Sequence, residues 1–241
     1  DRATHRRYRD GSLVLETAFD LPGGAVTVVD FMPLGQSAER VDLVRLVRCD
    51  RGAVEMETEI VFRFDYGKSI PWVRARPWGI RAVAGPDAIE LRTPVELVGQ
   101  DFTTVSHFRV TAGQIVPFVL TWSPSHRPAP EPFDPLDALN ACESDWRAWG
   151  SQCTYRGPRA DLVSRSLVVL KALTYSPTGG MVAAPTTSLP EDPGGVRNWD
   201  YRYCWLRDAT LTLYALLASG YDREAADWDQ WLLRAVAGSP W

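Results

Sequence analysis

Lysine is almost missing from this chain: Lys68 and Lys171 are its only two. Positive charge rests on arginine, and 30 acidic residues outnumber 26 basic ones, for a net charge of −4. There is no basic tail or stripe, which argues against nucleic acid as a partner. Histidine is as sparse, and His5, His107 and His126 stand far apart with no ligand spacing. The four cysteines, Cys49, Cys142, Cys153 and Cys204, form no C-x-x-C pair. No metal site and no cofactor are therefore expected. Scattered cysteines without a dense framework fit a reducing, cytoplasmic setting better than a secreted disulfide scaffold. No apolar run approaches the ~20 residues of a membrane span, so no membrane partner is expected.

What is present is ordinary in bulk and unusual in one place. The 241 residues are 45% hydrophobic and 23% charged, a globular composition with room for one large domain or two small ones. The stretch GGVRNWDYRYCWLRD at 194–208 gathers four aromatic rings, three arginines and two aspartates. A strongly apolar run follows from Ala209 to Ala218. Leu211, Leu213, Tyr214, Leu216 and Leu217 leave it no clean polar face, which predicts a buried helix stopped at Gly220. Arg207 and Asp208 then stand where a loop enters that helix. Rings offer flat apolar surface to the C–H face of a pyranose. Arginine adds a fork of donors and aspartate adds acceptors, which together suit hydroxyls. Structural roles are open on spacing alone. Asp208 fits a helix cap, Arg207 fits a bridge to Asp200, and Trp199 and Tyr203 fit ordinary core.

Residues 13 to 122 read as β. Leu13–Phe19 and Ala25–Phe31 flank a hairpin signal at Pro22-Gly23-Gly24. Val54, Met56, Thr58, Ile60, Phe62 and Phe64 alternate with Glu55, Glu57, Glu59 and Arg63, so one strand face is buried and the glutamate face is wet. Asp50-Arg51-Gly52 reads as a turn before that strand. Further strands are expected at Gly79–Ala84, Ala88–Thr93, Thr103–Thr111 and Gln114–Trp122, with His107 as a satisfied structural histidine. Many strands with short turns imply an antiparallel sandwich.

The proline-dense SPSHRPAPEPFD at 123–134 is a linker. Asp134-Pro135 caps the helix that follows, whose Leu136, Leu139, Cys142, Trp146 and Trp149 share a face. A second helix is expected from Asp161, its candidate cap, with Leu162, Val163, Ser166, Leu167, Leu170 and Leu173 on one side. It stops at Ser176–Gly180. A last helix spans about Asp222 to Ala237, with Ala225, Trp228, Leu232 and Ala235 together. Gly238-Ser239-Pro240 ends it.

The run APTTSLPEDPGGVRNWDYRYCWLRDATLTLYAL at 184–216 resembles the signature of glycoside hydrolase family 15, which includes glucoamylases, glucodextranases and bacterial or archaeal trehalases. VVDFMPLG at 28–35 and RRYRDGSLVLETAF at 6–19 are similar to its N-terminal part. The resemblance implies a multi-domain β + α chain, an antiparallel β-sandwich followed by the first helices of an (α/α)6 toroid. It places the sandwich at 1–122, the linker at 123–134, a linker helix at 135–150 and the start of the catalytic domain at 151–241. It implies that Tyr201, Trp205, Arg207 and Asp208 line the subsite for a non-reducing-end glucose. It also implies an internal piece of a longer protein, lacking earlier and later segments.

The implied reaction is inverting hydrolysis, which needs two carboxyl groups about 6.5–9.5 Å apart. The family's acid and base lie downstream of W-x-R-D, so no catalytic residue is assigned in this chain, and the piece alone is expected to be inactive. Glu191 and Asp192 are the nearest carboxylates without a family role, and Arg207 beside Asp208 disfavours the latter as an acid. The reading leans to a glucoamylase-like release of glucose from α-glucosides. Trehalase is the alternative, with an oligosaccharide or disaccharide as the partner. A non-catalytic carbohydrate-binding or structural module is the alternative from another class.

Overall fold

The computed structural model describes residues 3–35, 37–187 and 189–237. The stop expected at Gly238-Ser239-Pro240 lies outside them. Ten strands come first: β1 (His5–Tyr8), β2 (Leu15–Leu21), β3 (Gly24–Phe31), β4 (Val41–Ile60), β5 (Trp72–Arg76), β6 (Gly79–Ala84), β7 (Asp87–Arg92), β8 (Val98–Gln100), β9 (Thr103–Thr111) and β10 (Ile115–Pro124). Among the described residues four helices follow: α1 (Pro135–Gly150), α2 (Ala160–Ala172), α3 (Leu206–Ala218) and α4 (Asp222–Val236). Contacts divide the chain into residues 1–144 and 145–241, a boundary inside α1.

In the first unit one antiparallel sheet runs β1-β2-β3-β4-β10-β7-β6-β5, and a second joins β4, β9 and β8. The apolar face read at Val54 packs into the core with Val26, Val47, Cys49, Ile80, Leu91, Val110, Val116 and Phe118. Glu55, Glu57 and Glu59 stay exposed, as alternation requires. His107 is exposed rather than built into the interior, and it lies directly across from Glu57.

One strand belongs to both sheets. β4 pairs with β3 and β10 in its first part and with β9 from Ala53 to Ile60. The expected turn at Asp50-Arg51-Gly52 is instead the bend in this strand. Val26 pairs with Cys49 and Ala25 with Arg51, which leaves Asp50 as the extra residue of a bulge. Gly52 takes φ +69°, where a side chain is strained. Thr27 Oγ1 donates to Asp50 Oδ2 at 2.5 Å, and Arg48 Nε donates to Asp50 Oδ1 at 2.7 Å, which pins the corner.

β1, β5 and β8 have no counterpart in the sequence reading. All their residues are exposed, so no buried face writes a period of two into them.

Asp134 caps α1 as expected: its Oδ1 accepts the Leu136 and Asp137 backbone N–H groups at 2.8 and 3.1 Å. Leu139 and Cys142 are buried, while Leu136 is exposed. Cys142 Sγ donates to the Met32 carbonyl at 3.5 Å, and Glu143 pairs with Arg9.

In the second unit Trp149 stacks on Tyr221, centroids 4.2 Å apart and planes 18° apart, with Trp146 edge-on to Trp149 at 6.0 Å. Asp161 does not cap α2. The chain enters through Arg159 in a left-handed conformation with no side-chain cap, and Asp161 falls in the first turn. The buried side of α2 centres on Leu167 and Val168, with Leu162 and Ser166 outside.

α3 departs most from expectation. Only Ala209 and Leu216 are buried, whereas Leu206, Leu211, Tyr214 and Leu217 are exposed. A helix apolar all round needs neighbours all round, and in this chain its main contacts are with α2 and α4. Gly220, at φ +91°, reverses the chain two residues beyond α3, where a left-handed glycine ends helices. No helix among the described residues is long and apolar enough to cross a membrane.

Candidate functional site

The aromatic and charged residues of 194–208 come together in the second unit. Backbone bonds set their frame. Val182 N–H donates to Leu173 O at 3.0 Å, Ala183 N–H to Tyr203 O at 3.1 Å, and Ala184 N–H to Tyr201 O at 2.9 Å. These bonds tie the segment leaving α2 to the one entering α3. Trp205 precedes the helix in extended conformation, φ −92° and ψ 121°, and its carbonyl accepts the Ala209 N–H at 2.9 Å. The ring is therefore fixed where the backbone changes from extended to helical.

Tyr201 stacks on Trp205 with centroids 5.6 Å apart and planes 24° apart. Trp205 Nε1 donates to the Asp200 carbonyl at 3.2 Å, which fixes the indole edge. The Arg207 guanidinium lies 6.0 Å from the Trp205 ring centroid, within cation–π range. Its Nη2 donates to Asp208 Oδ2 at 3.1 Å. All four expected residues thus form one connected cluster. The Arg207 side chain is 69% exposed and that of Asp208 31%, so the pair faces solvent rather than an interior. Their chemistry is a ring pair beside a donor fork and a carboxylate, an open wall able to meet C–H faces and hydroxyls.

The alternative structural roles fare differently. Asp208 sits in the first turn of α3 and does not cap it; the cap position is Trp205, without a side-chain bond. Asp200 pairs with Arg202, not Arg207, through Oδ1 at 3.1 Å and Oδ2 at 2.8 Å. Hydrogen bonds from the Arg202 side chain and backbone N–H hold the Asp200 carboxyl below its usual range.

Trp199 and Tyr203 are not core: they are 44% and 68% exposed. Trp199 meets Trp205 edge-on at 6.5 Å, which extends the ring cluster by a residue that the sequence reading left out. Its Nε1 donates to Glu191 Oε1 at 3.2 Å, and Arg197 lies 3.6 Å from the same carboxylate. Glu191 is therefore a brace for the 190–198 turn, which closes on a Pro190–Asn198 bridge. The signal for Trp199 was its place in the same aromatic run, and only the exposure of the turn separates wall from core.

Residues 157–240 match the model of Glycosyl hydrolases family 15. A protein of Mycolicibacterium smegmatis named trehalase is 37% identical over 92% of this chain and 37% of its own length. One of Mycobacterium tuberculosis with the same name is 35% identical over 92% of this chain and 36% of its own. The chain thus spans a little over a third of the length of these curated relatives. A crystal structure of a bacterial glucoamylase complexed with acarbose aligns over 92% of this chain and 40% of that one, with a TM-score of 0.60 and 14% identity, which carries the fold alone. The fold, an antiparallel β part followed by the first helices of an (α/α)6 toroid, is like that of this structure, and the stretch through α2, α3 and α4 matches the family 15 model.

Proposed function

We propose that the protein to which this chain belongs is a trehalase, an inverting hydrolase that releases glucose from trehalose. The observation that carries the substrate is the 37% identity to a named trehalase over 92% of the chain. The sequence reading leaned to glucoamylase. The likeness to a glucoamylase structure, at 14% identity, bears on fold and not on substrate. The trehalase alternative is therefore the better supported of the two.

In this reading Tyr201, Trp205, Arg207 and Asp208 form the wall that receives a terminal glucose. Stacked rings support the C–H face, and Arg207 and Asp208 hold hydroxyls as donor and acceptor. Asp200 and Arg202 brace the indole from behind, since the Asp200 carbonyl accepts the Trp205 N–H. The arrangement binds and orients. Inversion also needs a carboxylic acid at the leaving oxygen and a carboxylate that activates water across ~6.5–9.5 Å. Neither group is assigned to this chain, and residues 1–241 alone are proposed to lack turnover. Within it we assign 1–124 to the sandwich, since Ser123 and Pro124 still pair with Ala88 and Asp87, 125–134 to the linker, 135–150 to a linker helix and 151–241 to the start of the toroid. The scattered cysteines support a cytoplasmic setting.

Glucose release by the full-length protein from trehalose, maltooligosaccharides and isomaltose tests this. Preferential hydrolysis of trehalose is expected. Turnover of maltooligosaccharides in its place would restore the glucoamylase reading. Binding without turnover of any of them would favour a non-catalytic module.

A further inference from the structure

The edge of the larger sheet ends in an exposed strand. β5 closes the strand order and pairs only with β6 among the described residues. Its outer backbone edge has no strand partner among the described residues, and all five residues are exposed. Pro71 and Pro77 bound it, so the open edge is short, about 17 Å.

Alternate side chains of β5 line two different hollows. On one side, Trp72, Arg74 and Arg76 border a hollow of about 290 Å³ with Arg81 and Val83. On the other, Val73 and Ala75 border a hollow of about 460 Å³, more apolar than polar, with Phe62, Ile80, Leu97 and Phe102 beside Gln100 and Asp101. Trp72, 68% exposed, lines both.

The charged side is unbalanced. Arg74 lies directly across from Arg81 in the β5–β6 register, and like charges in that position oppose the pairing. Arg81 reaches Glu90 at 3.9 Å, but its buried Nε has no hydrogen-bond partner. Arg74 rests on the Trp72 ring at 4.0 Å, and neither it nor Arg76 has a carboxylate partner among the described residues. Arginines on an edge strand can serve simply to repel other strands. That role does not account for the hollow on the opposite face.

We propose that β5 binds an extended peptide segment of alternating acidic and apolar residues, added as a further strand. Main-chain bonds along the free edge would supply affinity, and the two hollows would read alternate side chains. Acidic residues fall on the Arg74–Arg76 side and apolar ones beside Val73 and Ala75. Charge complementarity and the period of two select this occupant.

Two fluorescent peptides of about seven residues and equal composition test it, one alternating glutamate and valine, the other with the same residues in blocks. Each is titrated into the full-length protein and followed by anisotropy. The alternating peptide is expected to bind about tenfold or more tightly than the block peptide. Arg74→Glu with Arg76→Glu should weaken it by a similar factor while circular dichroism stays unchanged. Binding should also slow hydrogen exchange at the β5 amides. Equal binding of both peptides would reduce the surface to a patch that reads net charge. No binding, or no effect of the arginine substitutions, would also overturn the proposal.

Discussion

Lys171 Nζ lies 2.8 Å from Glu224 Oε1, the same oxygen that accepts the Trp149 indole N–H at 2.7 Å. One carboxylate, 4% exposed, therefore links α1, α2 and α4, beneath the stack of Trp149 on Tyr221. A buried carboxylate is tolerated only with partners of this kind. Lys171→Met leaves Glu224 one donor short and is expected to destabilise the helical unit. Removing one partner of a buried pair costs ~3–5 kcal/mol, and the partial exposure of Lys171 places this case near the lower end. Tryptophan fluorescence during urea unfolding measures it.

The same cluster sets an acid limit. Burial alone would raise the Glu224 pKa, but hydrogen bonds from Lys171 and Trp149 outweigh it and hold the group below its ordinary 4.5. Between the folded and unfolded values the unfolded chain binds more protons. The contribution is thus full above pH 4.5 and is lost as pH falls through the depressed folded value. Glu224→Gln should be less stable than the parent near neutrality, and that difference should shrink below pH 4.5. Melting temperatures of both proteins across acid pH check the slope.

At the sandwich corner, Gly52→Ala is expected to be costly. The position holds φ +69°, and a Cβ there would collide with the Gly23 carbonyl oxygen. A left-handed conformation alone costs a non-glycine residue ~1–2 kcal/mol, and the collision adds to it. A fall in denaturation midpoint of the β unit, set against Gly85→Ala, measures the difference. Gly85 also has positive φ but open space around the added carbon, so it isolates the steric part.

The corner also illustrates what was legible. Alternation from Val54 to Phe64 identified the strand, its inward face and its wet glutamates, but β4 ends at Ile60, short of Phe62 and Phe64. Asp50-Arg51-Gly52 has the composition of a hairpin turn, and the same residues serve a bulge. Only the pairing of residues on both sides distinguishes the two. β5 and β8 were invisible because strands exposed on both faces carry no apolar period. Asp134 was readable because a cap acts on its immediate neighbours. Glu224 was not, because its partner Lys171 lies 53 residues earlier and neither position breaks a helical pattern.

In the candidate site, Tyr201, Trp205, Arg207 and Asp208 were named by signature alone, and their mutual contacts are local, within eight residues of sequence. Trp199 was left to the core, because an aromatic residue in a run reads equally as core or surface; it is 44% exposed beside Trp205. The apolar run after Asp208 predicted burial on every side, but Tyr214 is 74% exposed, since periodicity states which faces need cover and not whether the chain provides it.

Asp208→Asn in the full-length protein tests the proposed binding wall most directly, read as kcat/KM for trehalose with folding checked by circular dichroism. A hydrogen bond to a charged group is worth ~1.5–3 kcal/mol, so a loss of roughly 10- to 100-fold is expected. An unchanged kcat/KM would contradict a substrate role for Asp208 and leave it only a place in the first turn of α3.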